Sequence, residues 1–137
     1  MTLVDADTLA EWIRDFMDPA LFVSVTTDGA TRLRENQILM WLRAIARRES
    51  MHIRGAWLQD ERHGHIFVGP IDQELDMAAF GWAGGFHRIE PIRDLRAATL
   101  YACDHIVFEG ATFDADVACP RPPACRRSGG CRALRGR

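Results

Sequence analysis

An α+β fold, in which a mainly antiparallel sheet has its helices packed on one face, is the architecture that three features of this 137-residue sequence predict. Some segments space their apolar residues by three and four, others by two or in β-branched runs, which are the periods of helix and strand. These segments follow one another as αβαββαβα, with a helix leading from a first strand to a hairpin, an order that suits helices laid on an antiparallel sheet. The third feature is composition: 47% hydrophobic residues and four tryptophans describe a packed core, and the length fits one domain.

The elements follow in order. Thr8-Leu-Ala-Glu11 has capping-box spacing, and Leu9, Ile13 and Phe16 then share a helical stripe, so a first helix is expected to about Met17. Asp18-Pro19 breaks it. Leu21-Phe-Val-Ser-Val-Thr-Thr27 is a β-branched and aromatic run closed by Asp28-Gly29, which reads as a strand. From Thr31, Ile38, Trp41, Leu42 and Ile45 predict a second helix, with Arg43, Arg47 and Arg48 near its end, where cations favour the dipole. Met51 to Leu58 alternates, a polar turn follows, and His65-Ile-Phe-Val-Gly69 completes a hairpin. Pro70 ends it. Ile71 to Phe80 carries helical spacing, Gly81-Trp-Ala-Gly-Gly85 interrupts the chain, Phe86 to Ile92 reads as a strand, and Leu95 to Phe108 as a last helix before Gly110.

Charge divides the chain into a domain, residues 1–117, and a tail rich in Pro, Arg and Cys, residues 118–137. The first holds 11 arginines against all 19 acids, a net of −8, and the second holds 6 arginines and no acid. Every fixed cation is an arginine, a residue suited to bidentate phosphate contacts as well as a product of high-GC codons. A body at −8 repels phosphate unless its arginines cluster, whereas a tail of +6 is an electrostatic arm. No run reaches the length of a membrane span, and Met1-Thr-Leu-Val-Asp-Ala-Asp lacks a basic segment followed by an apolar one; a cytoplasmic protein without membrane association is expected.

Three groups of residues carry chemistry. The acidic pair Asp60-Glu61 precedes His63-Gly-His65, whose histidines are two apart and share a face if both are in a strand. Tyr101, the sole tyrosine, lies in the last helix, with His105 one turn beyond it. Cys119, Cys125 and Cys131 recur through the tail with a regular gap; three thiolates could take part in a Zn²⁺ site if Cys103 or a histidine joined them, or the segment could be a plain arginine-rich arm.

The order of Phe22-Val-Ser-Val-Thr-Thr27, Ala56-Trp-Leu-Gln-Asp-Glu-Arg-His-Gly-His-Ile-Phe-Val-Gly69, Gly85-Phe-His-Arg-Ile-Glu-Pro-Ile-Arg93 and Ala97-Ala-Thr-Leu-Tyr-Ala-Cys-Asp-His-Ile-Val107 resembles the HUH endonuclease family. That family comprises replication initiators of rolling-circle plasmids and single-stranded phages, with relaxase and transposase relatives. The resemblance covers roughly residues 20 to 108 and implies a ferredoxin-like or HUH-like fold and metal-dependent nicking of single-stranded DNA. On it, Tyr101 is the nucleophile, and His63 and His65 with Asp60 or Glu61 hold Mg²⁺ or Mn²⁺. Phe67 stands where the family's second histidine falls, and Asp104 and His105 occupy the positions of a lysine and a second tyrosine. A reading from another class is a non-catalytic binding or regulatory module, a homodimer through Trp41, Trp57 or Trp82 or bound to a protein partner through the tail. Between them lies an HUH-like domain that binds without cutting.

Overall fold

The computed structural model describes residues 5–29, 31–71, 81–82, 85–105 and 111–120. Three helices and five strands run in the order α1 (Ala6–Phe16), β1 (Leu21–Thr27), α2 (Gln37–Glu49), β2 (Ile53–Gln59), β3 (His63–Gly69), β4 (Gly85–Pro91), α3 (Leu95–His105) and β5 (Thr112–Ala118). The strands form one sheet in the order β4-β1-β3-β2-β5, and every neighbouring pair is antiparallel. The α+β class and the antiparallel sheet are those the periodicities predict.

Local chemistry fixes the boundaries. α1 is capped one turn earlier than expected: Asp5 takes extended dihedrals and its Oδ1 accepts from the Thr8 N–H at 2.8 Å. That bond, first of all, holds the Asp5 carboxyl below its ordinary range. α2 begins at Gln37 and not near Thr31, because Leu33 N–H is already engaged by Glu61 O at 2.7 Å in the loop before it. It ends at Ser50, whose left-handed φ of 52° turns the chain into β2. The helix expected over 71–80 falls almost wholly outside the described residues, as does the end of the last helix beyond His105.

Strand alternation gives the sheet two apolar faces. Val23, Val25, Ile53, Trp57, Ile66 and Val68 face α2, where they bury Ile38, Leu42 and Ile45. Phe22, Ala56, Leu58 and Phe67 point the other way and bury Leu9 and Ile13 of α1 and Leu95 and Ala102 of α3. The helices are therefore divided between both faces, which corrects the expectation of one. Topology supplies the reason. β1-α2-β2 and β4-α3-β5 each join parallel strands and cross the sheet in the same direction, but β1 and β4 are antiparallel. Crossovers of one hand that start from opposed strands must pass over opposite faces.

β5 is the strand the sequence conceals. Thr112-Phe-Asp-Ala-Asp-Val-Ala118 places Asp114 and Asp116 in a short segment, and Asp is depleted in strands. On a sheet edge the exposed Asp114 is tolerated and discourages pairing with a further strand, while the buried Asp116 accepts the Val117 N–H at 2.7 Å. The tryptophans considered for an interface turn inward: Trp57 is 1% and Trp82 6% exposed, and Trp41 meets Trp82 edge-on at 5.6 Å.

Close approach of α2 explains the glycine between the two histidines. A Cβ at Gly64 would lie 2.9 Å from Val25 Cγ2 and 3.0 Å from Ile38 Cδ1, so the bulky residue usual in a strand has no room here. Replacing a strand glycine with alanine ordinarily stabilises by about 0.5–1 kcal/mol, whereas overpacking a core costs about 1–3 kcal/mol. The second effect wins at this position. Gly64→Ala is expected to lower the free energy of unfolding by roughly 1–2 kcal/mol net, read as a lower urea midpoint at unchanged slope; an unchanged or higher midpoint would show that α2 is not seated on this residue.

Candidate functional site

The face of the sheet that carries α1 and α3 is only partly covered by them, and the uncovered part is polar. β1 lies between β3 and β4, and its register sets two rows of side chains across the three strands. Arg88, Ser24 and His65 make one row; Phe86, Thr26 and His63 make the next. Directly opposed residues share a face, so all six project to the side of α3. The first row is where the covered core gives way to solvent, since His65 is 5% exposed while the second row presents Phe86 at 73%.

Tyr101 reaches the first row from α3. Its ring meets His65 edge-on with centroids 5.5 Å apart and Phe22 edge-on at 6.0 Å. His65 in turn stacks on Phe22 at 5.6 Å, and Ser24 Oγ lies 3.2 Å from His65 Nδ1. The hydroxyl and the flat ring of Phe22 fix the imidazole plane. Tyr101 is 43% exposed, so one side of its ring packs while the rest faces solvent. Residues from three distant segments, Phe22, His65 and Tyr101, thus converge on one spot.

The remaining residues expected at a metal site do not join them. His63 is on β3 and shares the face of His65, but Asp60 is occupied with the hairpin turn: its Oδ1 accepts from the Arg62 N–H at 2.8 Å and the His63 N–H at 2.7 Å and lies 3.3 Å from His63 Nδ1. Glu61 is paired with Arg32 at 3.2 Å on the exposed loop. Among the described residues no three His, Cys, Asp or Glu side chains gather in a way that could hold a metal ion. Asp60 and Glu61, the oxygen donors expected for Mg²⁺ or Mn²⁺, are each engaged by other groups in this arrangement, and no chemical step is assigned to a metal. Phe67, at the slot of the family's second histidine, is wholly buried and packs on Phe22 at 5.0 Å.

Cys119 is disulfide-bonded and buried at the end of β5, and a sulfur so bonded offers no thiolate to Zn²⁺. Cys125 and Cys131, the other two tail cysteines, lie outside the described residues. On α3, the Cys103 thiol is pushed up by burial, with Asp104 and Asp5 adding to the effect, and so stays protonated at neutral pH.

Beside Tyr101 opens a cleft of about 620 Å³ between the end of β4 and the first turns of α3. Its floor is Phe22 and Ile92, one wall is Ala97, Ala98 and Tyr101, and the other is Arg88 and Glu90, joined by a 2.6 Å contact from Nε to Oε1. Arg93 and Asp94 stand at its end, Asp94 accepting the Ala97 N–H at 3.2 Å at the start of α3. Sequence reasoning placed the 85–93 segment next to the tyrosine helix but assigned no role to Arg88, Glu90 or Phe86. The available signal was alternation: Phe86, Arg88 and Glu90 are two apart on an edge strand, the first two exposed and Glu90 partly so. Comparison with protein-family models, with curated proteins and with solved structures found no match for this chain.

The burial of Phe67 yields a direct check on the histidine pattern. Phe67→His would place an imidazole among Phe22, Leu58 and the helices, without the Ser24 hydroxyl that serves His65. It is expected to cost about 2–4 kcal/mol of stability and to bring no Mn²⁺-dependent rise in melting temperature. A variant stabilised by Mn²⁺ would show that the slot is accessible and that the metal reading of this strand stands.

Proposed function

We propose that this domain binds and nicks single-stranded DNA in the manner of HUH-type replication initiators and transposases, with Tyr101 as the nucleophile. One observation carries the reading: three of the four segments on which the resemblance rests bring Phe22, His65 and Tyr101 into mutual ring contact at the edge of an open sheet face. Nothing in helix or strand periodicity requires that convergence.

The chemistry follows from the residues present. Tyr101 Oη attacks the scissile phosphorus, the bond from phosphorus to the 3′ oxygen breaks, and the departing alkoxide takes up a proton as the 3′ hydroxyl. The protein is left joined to the 5′ phosphate. Arg93, on the cleft that Tyr101 lines, is a fixed cation suited to hold phosphate oxygens. Phe86 offers an exposed ring on which a base can stack, as single-strand-binding sheets use theirs.

A second reading, binding without cleavage, is favoured by His65. At 5% exposure and with Nδ1 beside Ser24, its ring is built into the sheet. The two readings separate in one experiment. Purified protein is incubated with a pool of labelled single-stranded oligonucleotides, with Mn²⁺ and with a chelator, beside Tyr101→Phe. A covalent adduct that vanishes in the variant is the expected result. Binding with no adduct under either condition assigns the domain to the second reading, and no binding at all removes both. Phe86→Ala is expected to weaken binding by about 1–3 kcal/mol, the range for loss of one stacked base, in fluorescence anisotropy.

A further inference from the structure

We infer that β4 is a docking edge for a second copy of this chain, the two β4 strands pairing antiparallel about a two-fold axis at Ile89 so that the two sheets join into one. Among the described residues β4 pairs with β1 alone and ends the strand order. The Ile92 N–H donates to Ala20 O at 2.9 Å, and this bond sets the phase of the ladder. Bonded pairs alternate with unbonded ones, so Phe86, Arg88 and Glu90 turn their backbone groups towards β1. Gly85, His87 and Ile89 turn theirs outward, and Pro91, which has no N–H to leave unpaired, takes the next outward position. Phe86, His87 and Arg88 are exposed, so this row of donors and acceptors is accessible.

Charge selects the occupant and the register. Opposed residues of an antiparallel pair share a face, and side chains lie closest in the unbonded pairs. With the axis at Ile89, Arg88 faces Glu90 of the second copy and Glu90 faces its Arg88, both in unbonded pairs. Phe86 faces the partly buried Ile92 of the second copy in the same row, a contact from the side that leaves the outer face of the ring open. The Ile89 N–H and C=O bond their own counterparts, and each His87 N–H reaches the Pro91 carbonyl across the axis. Moving the axis to Arg88 would set guanidinium against guanidinium, which is unfavourable. The other edge behaves differently: β5 carries Asp114 and Asp116 and no cation, so a second β5 brings nothing to oppose them. Within one chain the 2.6 Å contact between Arg88 and Glu90 is open to solvent, contributes little there, and is readily exchanged for the equivalent contacts between copies.

Sedimentation velocity of the full chain across the micromolar range, with amide hydrogen exchange followed by NMR, tests the pairing. The expected result is a monomer–dimer equilibrium in which the His87 and Ile89 amides become protected as the dimer fills. The Phe86 and Arg88 amides, already bonded to β1, are protected at every concentration. Arg88→Glu and Glu90→Arg, each alone, set like charges opposite one another and are expected to weaken association roughly tenfold. The double exchange, Arg88→Glu with Glu90→Arg, restores it. Both side chains reach solvent, so the circular dichroism spectrum of each variant stays that of the parent. A chain that remains monomeric throughout, or a dimer whose His87 and Ile89 amides exchange freely, overturns the proposal. So do single variants that associate as well as the parent, or a double exchange that associates no better than they do.

Discussion

β1 is the constraint on which the rest of the molecule depends, because it must serve two faces at once. Its odd-numbered apolar residues, Leu21, Val23 and Val25, pack on the side of α2, while Phe22, Ser24 and Thr26 lie on the side of α3. Pairing with β3 and β4 together fixes the register on both edges. A slip of one residue against either neighbour would send Val23 and Val25 towards the polar face and Phe22 into the α2 core. The same alignment that closes the core therefore places Ser24 opposite both His65 and Arg88. Folding and site are one geometric decision here, and the glycine between the two histidines belongs to it, since Gly64 lets α2 lie against the strand whose other side carries the imidazoles.

How much of this was legible depends on the range over which each feature is determined. Elements set by local spacing were readable: β1 was expected at Leu21–Thr27 and lies there, and the stripe Ile38, Leu42 and Ile45 is the buried face of α2. Boundaries moved where a loop contact competed, as at Leu33, or where Asp5 offered a cap a turn before the spacing of Thr8 and Glu11. β5 was hidden because Asp114 and Asp116 lower its strand propensity; its place on an edge beside β2 leaves Asp114 in solvent, and the Val117 N–H engages the buried Asp116. The division of helices between two faces is a property of connection handedness and strand direction, which no single segment records. In the candidate site, His65 and Tyr101 were singled out and do meet, whereas Glu61 turned towards Arg32, a partner in a loop nearly thirty residues earlier in the chain. Side chains near one another in sequence had looked like one ligand group; the hairpin turn spends Asp60 on its own backbone and sends them apart.

The two faces also differ in what their apolar residues do. On the α2 side, large side chains are sealed: Trp57, Ile38, Leu42 and Ile66 are at most 1% exposed. On the α3 side the covered core stops at Phe22 and Phe67, and beyond it Phe86 is 73% and Tyr101 43% exposed. Burying an aromatic ring contributes about 1.5–3 kcal/mol, which Phe86 does not supply to folding. Scattered exposed hydrophobics are ordinary on a protein surface. Two exposed rings on the α3 side of the sheet, with Tyr101 lining the cleft, form a more restricted arrangement whose cost to folding is offset only if something else covers them.

Charge narrows what that something can be and how it is held. The arginines near this face are largely engaged by acids: Arg88 with Glu90, Arg96 with Asp7, and Arg32 with Glu61. Such pairing neutralises the field a few ångströms away, consistent with a domain at −8 over its first 117 residues. A polyanion would feel little attraction at long range, and a duplex, whose affinity comes mainly from many phosphate contacts, is poorly matched to this surface. A single strand differs because its bases are available to stack, and stacking is indifferent to net charge. A face that is nearly neutral from afar favours a ligand recognised by its rings, so the proposed affinity rests on Phe86 and Tyr101 more than on phosphate attraction.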